Sequence, residues 1–272
     1  MNFILIDASY YIFYRYHAMN IWWKHAKPED TECRPQDSEE FKTKFRAMFL
    51  RKIEEMNDKL GIKSSIKIAG KDCRRADIWR NGIYPQYKGT RADCSETVGP
   101  FFGIVDKENL FHEAGVDMTV AYPTLEADDC IAITTKYISK NFPDARIWII
   151  TGDMDYLQLS NEKVHLYSLQ YKDLTHSKNC SGNPEKDLFC KIVAGDKSDN
   201  ISAVFPRCGP KTAAKYYEDK ELFHEKLASS PDSVILYERN KTLVDFNNIP
   251  EELVMGFTDS HMPLFNKFIE YM

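Results

Sequence analysis

The stretch Thr124-Leu125-Glu126-Ala127-Asp128-Asp129 puts three carboxylates within four residues. It lies between an expected strand at Asp117–Ala121 and an apolar helical pattern, Ile131, Ile133, Tyr137 and Ile138. A helix N-terminus favours negative charge by roughly 0.3–1 kcal/mol per group, and Thr124 is a suitable turn cap. Those effects account for one or two acids, not three. Carboxylates crowded together repel unless a cation sits among them. Hard cations that take oxygen ligands, chiefly Mg2+, suit such a set.

Further acids share the same placement. Phe3–Ile6 is a short apolar run ending in Asp7, Ile66–Ala69 is another with Asp72 just beyond, and Arg146–Thr151 runs into Gly152-Asp153-Met154-Asp155. Continuous apolar runs of this length read as buried parallel strands. Between them lie helical patterns: an aromatic one from Ser9, one opened by Asp37-Ser38 with Phe41, Phe45, Met48, Phe49 and Ile53, and one over Phe101–Ala114 ending at Gly115. Pro28–Asp37 and Tyr171–Pro184 read as polar loops, and Val164–Ser168 as an edge strand. The alternation predicts an α/β fold, a central mostly parallel sheet flanked by helices, followed by a helical C-terminal part. In such sheets ligands collect beyond the carboxyl ends of the strands, where Asp7, Asp72, Glu126, Asp128, Asp129, Asp153 and Asp155 fall.

Two other stretches bear on chemistry. Lys71 to Gly99 is rich in Arg, Lys, Gly and Pro, and its centre, Tyr84-Pro85-Gln86-Tyr87-Lys88-Gly89-Thr90-Arg91, interleaves aromatics with cations. That pattern suits gripping phosphates and stacking bases; the alternative is a solvated basic loop. Later, Asp196 and Asp199 stand three apart, so a turn puts both on one side. Gly209-Pro210-Lys211-Thr212 opens a helix whose free N–H groups, with Lys211, form a phosphate site.

Composition sets the frame. The 272 residues are 43 % hydrophobic and 28 % charged, an ordinary globular balance. No apolar run has the length of a transmembrane helix, and Met1–Asp7 lacks the basic start of a signal peptide. Seven cysteines with no C-x-x-C pair argue against a disulfide framework or a zinc site and for a reduced, cytoplasmic setting. The net charge of −5 conceals an uneven distribution: Lys42 to Arg91 holds fourteen Lys/Arg against five Asp/Glu. Two bound Mg2+ would bring −5 to −1, so a basic face beside an acidic metal cleft is compatible with a phosphate backbone.

In order and spacing, the residues Asp7, Asp72, Trp79-Arg80, Tyr84–Arg91, Glu126–Asp129, Thr151–Asp155 and Gly195–Asn200 resemble the flap endonuclease / 5′-3′ exonuclease family of the PIN-like superfamily, over roughly residues 1–215. The segment Tyr237-Glu238-Arg239-Asn240-Lys241, with Leu243-Val244-Asp245-Phe246 and Ile249-Pro250 after it, looks most like a phage branch, which implies a phage or viral replication protein. The resemblance implies a structure-specific 5′ nuclease using two Mg2+, with Mn2+ able to substitute. Asp7, Asp72, Glu126, Asp128 and Asp129 would serve one ion and Asp153, Asp155, Asp196 and Asp199 the other. Lys88 and Arg91 would be catalytic. Tyr84, Tyr87, Arg80, Gly209, Lys211 and Thr212 would bind DNA. It further implies an α/β nuclease domain over 1–183 with a basic arch at about 71–99, and a helical DNA-binding region over 184–272 with a helix–loop–helix at 196–214. Branched, nicked, flapped or RNA-primed DNA would be the partner of a monomer working with replication-fork proteins and no membrane. Asp72 stands slightly displaced from the usual strand end. The helix–loop–helix lacks two of the family's glycines, which weakens the case for K+ at its carbonyls. The competing readings are a DNA-junction binder without catalysis and a PIN-like ribonuclease.

Overall fold

The computed structural model describes residues 1–26, 34–178 and 180–270. Its centre is a five-stranded sheet of β1 (Asn2–Asp7), β2 (Ile66–Gly70), β3 (Met118–Val120), β4 (Arg146–Ile150) and β5 (Val164–Tyr167). The order is β3-β2-β1-β4-β5 and every pairing is parallel. β1 is central: Leu5 stands opposite both Ile68 and Ile149. This is the expected parallel sheet, with β5 at one edge and β3 at the other.

Side-chain alternation along the strands builds two cores. Phe3, Leu5, Ile68, Ile147 and Ile149 point to one face, beneath α6 (Ala127–Asn141) and α11 (Glu251–Glu270). Ile4, Ile6, Trp148 and Ile150 point to the other, beneath α1 (Ala8–Ala26), α2 (Glu39–Glu54), α3 (Met56–Leu60), α4 (Gly99–Lys107) and α5 (Leu110–Glu113). The aromatic density after Ser9 is chiefly core: Tyr11, Tyr16 and Trp23 are buried, and Tyr11 meets Phe49 edge-on at 4.9 Å. Ser38 caps α2, accepting from the Phe41 N–H at 3.2 Å.

The single helix expected over Phe101–Ala114 is two, α4 and α5. Asn109, at φ 51°, interrupts it in the left-handed conformation that Asn tolerates. Residues 28–33 of the expected loop Pro28–Asp37 and residue 179 of the loop Tyr171–Pro184 lie outside the described residues.

The remaining helices are α7 (Pro184–Ala194), α8 (Pro210–Glu218), α9 (Lys220–Ala228) and α10 (Pro231–Val244). Phe189, Val193, Phe205, Tyr216 and Phe223 give α7–α9 a core of their own. α11 instead returns to the sheet, where Phe265 lies 5.8 Å from Phe3. Among the described residues no helix is long and apolar enough to cross a membrane.

The loop leaving α7 turns at Gly195, which has φ 73° and ψ −177°. That region is essentially reserved to glycine, and a Cβ there would lie 2.4 Å from the Ile201 carbonyl oxygen. Gly195→Ala is expected to cost about 3 kcal/mol of stability. Thermal unfolding checks this; an unchanged midpoint would show that the loop yields freely.

Candidate metal centre

Each acid is placed by a local device. Asp7 ends β1, and its Oδ1 accepts from the Tyr10 N–H at the start of α1 (3.0 Å). Its Oδ2 accepts from the Thr151 hydroxyl at the end of β4 (3.3 Å). Asp72 lies two residues past β2; one oxygen accepts from the Ala127 N–H at the start of α6 (2.8 Å), the other from the Ser9 hydroxyl. Glu126 is the N-cap of α6, and its N–H donates to Asp129 Oδ2 (3.2 Å). This pair performs the capping expected of Thr124, whose buried hydroxyl has no partner among the described residues. Asp153 caps the short 3-10 turn Met154–Leu159, accepting from the Asp155 N–H (2.9 Å).

The strand ends, the start of α6 and the loop after α7 thus meet around one cleft of about 570 Å³. Asp7, Asp72, Glu126, Asp128, Asp153 and Asp196 line it, with Lys88 and Arg91. Asp155, Asp196 and Asp199 offer oxygens within 4.8 Å of one another, as do Glu126, Asp128 and Asp129. Six of the nine acids singled out in the sequence thus line one cleft.

The two groups differ electrostatically. In the group of Asp7, Asp72, Glu126 and Asp128, burial together with Asp72 and then Asp153 pushes the Asp7 carboxyl up to about 7. Burial with Glu126 and Asp129 also raises Asp128. In the second, burial opposes ionisation of Asp196, but Lys191 and the Ser198 hydrogen bonds outweigh it and hold the carboxyl at about 2. Lys191 bridges Asp155 and Asp196, the latter at 2.8 Å. Sequence reasoning missed this lysine, which sits in the last turn of α7, five residues before Asp196.

Oxygen-only donor sets, with Asp7 and Asp128 raised by burial and then by neighbouring carboxylates, fit a hard divalent cation. Folded Asp7 keeps its proton to about pH 7, whereas an unfolded aspartate loses it near pH 4. Between those values the folded state binds more protons, so this group's contribution to stability falls as pH rises. A cation beside Asp7 reverses that loss. A divalent cation bound there is therefore expected to raise the melting temperature by roughly 5–10 °C at pH 7.5 and by much less at pH 5. Equal shifts at both pH values would place the ion away from Asp7.

Three residues depart from the roles expected of them. Arg80 is buried, not DNA-facing: its Nη atoms bond Asp129 (2.7 and 2.8 Å) and Glu126 (3.0 Å), and its Nε donates to the Leu243 carbonyl (2.8 Å). Asp129 is fully buried, and both of its oxygens already accept hydrogen bonds, from Arg80 and from Trp79 Nε1 (2.9 Å), which compete with any role as a ligand. Tyr87 is 6 % exposed, packs with Ile78, Ile192 and Ile201, and gives its hydroxyl to Glu126 and Asp199 (both 3.2 Å); its ring has no open face for a base. Tyr84 is half-buried, with Arg239 4.4 Å above its ring and its hydroxyl on the Asn200 carbonyl (3.0 Å).

The basic segment thus docks onto the Asp196–Asn200 loop. The Lys88 N–H donates to the Asp199 carbonyl (2.9 Å), and Asn200 Nδ2 to the Gln86 carbonyl (2.8 Å). Lys88, at φ 54°, sends its ammonium to Glu126, and Arg91 pairs with Asp199. Gly209 is the N-cap of α8, where no side chain caps the helix; Lys211 is exposed there and Thr212 half-exposed.

Residues 2–188 match the family described as 5'-3' exonuclease, N-terminal resolvase-like domain. The chain is 29 % identical over 157 residues to the 5'-3' exonuclease of Bacillus subtilis, covering 55 % of this chain and 51 % of that protein. It is 27 % identical over 212 residues to ribonuclease H of Enterobacteria phage T4, covering 69 % of this chain and 67 % of the phage protein. The T5 D15 protein, co-crystallized with metal ions, superposes with a TM-score of 0.66 at 17 % identity, over 96 % of this chain and 98 % of that one, which establishes the shared fold. Among eight such curated relatives, the chain spans between 15 % and 76 % of their length. With the family match extending over more than half of its length, the chain belongs to the 5'-3' exonuclease family.

Proposed function

We propose that this protein is a structure-specific 5′ nuclease that hydrolyses phosphodiester bonds near 5′ ends of branched, nicked or RNA-primed DNA during replication. The observation that carries the reading is one cleft lined by acids from both clusters and flanked by Lys88 and Arg91. Asp7, Asp72, Glu126 and Asp128 would hold one divalent ion, and Asp153, Asp155, Asp196 and Asp199 a second. Mg2+ is the expected ion and Mn2+ its substitute. When bound, such a pair supplies Lewis-acid charge to the scissile phosphate and to the attacking water.

The chain's own residues do the rest. Lys88 and Arg91 place fixed positive charge at the cleft, aimed where negative charge develops on the phosphate. Asp129 serves through Arg80, as a buried counter-charge behind Glu126. A second cleft of about 800 Å³ shares Asp155, Lys191 and Asp196 with the metal centre and extends to Lys186 and Lys211. It gives a phosphate backbone a continuous route from the acids to the start of α8, read without sequence preference. Residues 184–272 would thus supply the duplex grip to the α/β part, with a monomer as the working form.

The test is incubation with a 5′-flapped duplex and Mg2+, with and without chelator. Cleavage that the chelator abolishes is the expected result. Binding without cleavage would overturn the reading in favour of a DNA-junction scaffold.

A further inference from the structure

The end of α10 is tied to three groups of acids: to α6 through Arg80, to the turn of Asp155 through Gln158, and to the loop of Asp196 and Asp199 through Asn240. Arg80 donates its Nε to the Leu243 carbonyl while its Nη atoms hold Asp129 and Glu126. Gln158 donates its Nε2 to the Val244 carbonyl (3.0 Å) and to the Asp155 carbonyl (2.9 Å), and its Oε1 accepts from the Phe246 N–H (2.8 Å). Asn240, fully buried, donates its Nδ2 to the carbonyls of Ile192 (3.0 Å) and Ser202 (2.8 Å), which flank the loop bearing Asp196 and Asp199. The last carbonyls of a helix have no partner within it. Here two of them are taken by side chains that reach from behind opposite carboxylate groups.

We propose that the last turn of α10 is the joint that fixes the spacing between the two carboxylate clusters, and that Arg80, Gln158 and Asn240 are positioning residues acting through it. Arg80 serves one cluster; Gln158 and Asn240 serve the other. Leu243 and Val244 are buried against Ile78, Tyr87, Ile192 and Ile201, so the joint has little room to shift on its own. A displacement of this turn strains bonds to both clusters together. The proposal rests on the two-ion reading of the cleft.

The test is a Mn2+ binding isotherm on the whole, DNA-free protein, followed by the electron paramagnetic resonance of free Mn2+. The wild type is expected to bind two ions. Gln158→Ala and Asn240→Ala should each weaken one of them about tenfold or more and, through α10, the other by less. Arg80→Lys should weaken the second of the pair instead. Gln158→Glu, which keeps the Phe246 contact but loses both donations, should reproduce Gln158→Ala should the alanine variant fold poorly. The decisive measurement is the double variant Arg80→Lys/Gln158→Ala. Coupling through α10 requires its effect to differ from the product of the single effects by about threefold or more. Strictly multiplicative effects, or wild-type isotherms in all variants, would overturn the joint while leaving the two-ion reading intact. A wild type that binds no Mn2+ would overturn both.

Discussion

Asp153→Asn is expected to abolish cleavage of a flapped duplex while leaving DNA binding in place. The substitution is nearly isosteric, and asparagine is as good a cap as aspartate. The bond from the Asp155 N–H that opens the 3-10 turn therefore survives. What goes is one negative charge at the cleft, beside Asp7 and Asp196. If that charge holds a divalent ion, the loss of about 4 kcal/mol of transition-state stabilisation slows turnover about 10³-fold. Single-turnover cleavage and a gel-shift titration on one substrate separate the two effects. Near-normal turnover would remove Asp153 from the metal site.

Lys88→Ala has the next largest expected effect. Burial alone would lower the charge on this ammonium, but Glu126, Asp128 and Asp199 outweigh it and hold the group firmly protonated. It is a fixed positive charge at the mouth of a low-dielectric cleft, where such a charge is worth most. Removing it should slow the chemical step about 10²–10³-fold, with only a modest change in affinity. Alanine meets the same left-handed strain at φ 54° that lysine does, so the comparison isolates the ammonium. Lys88→Arg should recover part of the rate. A change in affinity alone would reduce Lys88 to a phosphate contact.

The carboxylates were legible in the sequence because their positions obey a rule of topology. Asp7 and Asp153 stand past apolar runs that had to be strands, and parallel strands bring their carboxyl ends to one edge. Their partners were not legible. Arg80 and Tyr87 sit in a stretch whose composition reads as solvated, yet both are buried by residues far along the chain, Asp129 and Leu243 for Arg80 and Asp199 for Tyr87. Composition reports what a segment offers, not what distant elements close over it. Lys191 escaped for a related reason. At the end of an amphipathic helix it resembles any solvent-facing lysine favoured by the helix dipole, and only the fold carries it between Asp155 and Asp196. The break at Asn109 has a local signal, an Asn suited to φ above zero, but the flanking apolar pattern masked it.

The bond between Arg80 and the Leu243 carbonyl has a consequence for the order of events during synthesis. The last candidate ligand, Asp199, leaves the ribosome well before Leu243 does. At ordinary elongation rates the interval is roughly 2–9 s. For that time a nascent chain carries every candidate ligand but not the carbonyl that Arg80 binds. The bond that ties Arg80 to the end of α10 therefore closes only after all the candidate ligands have been made.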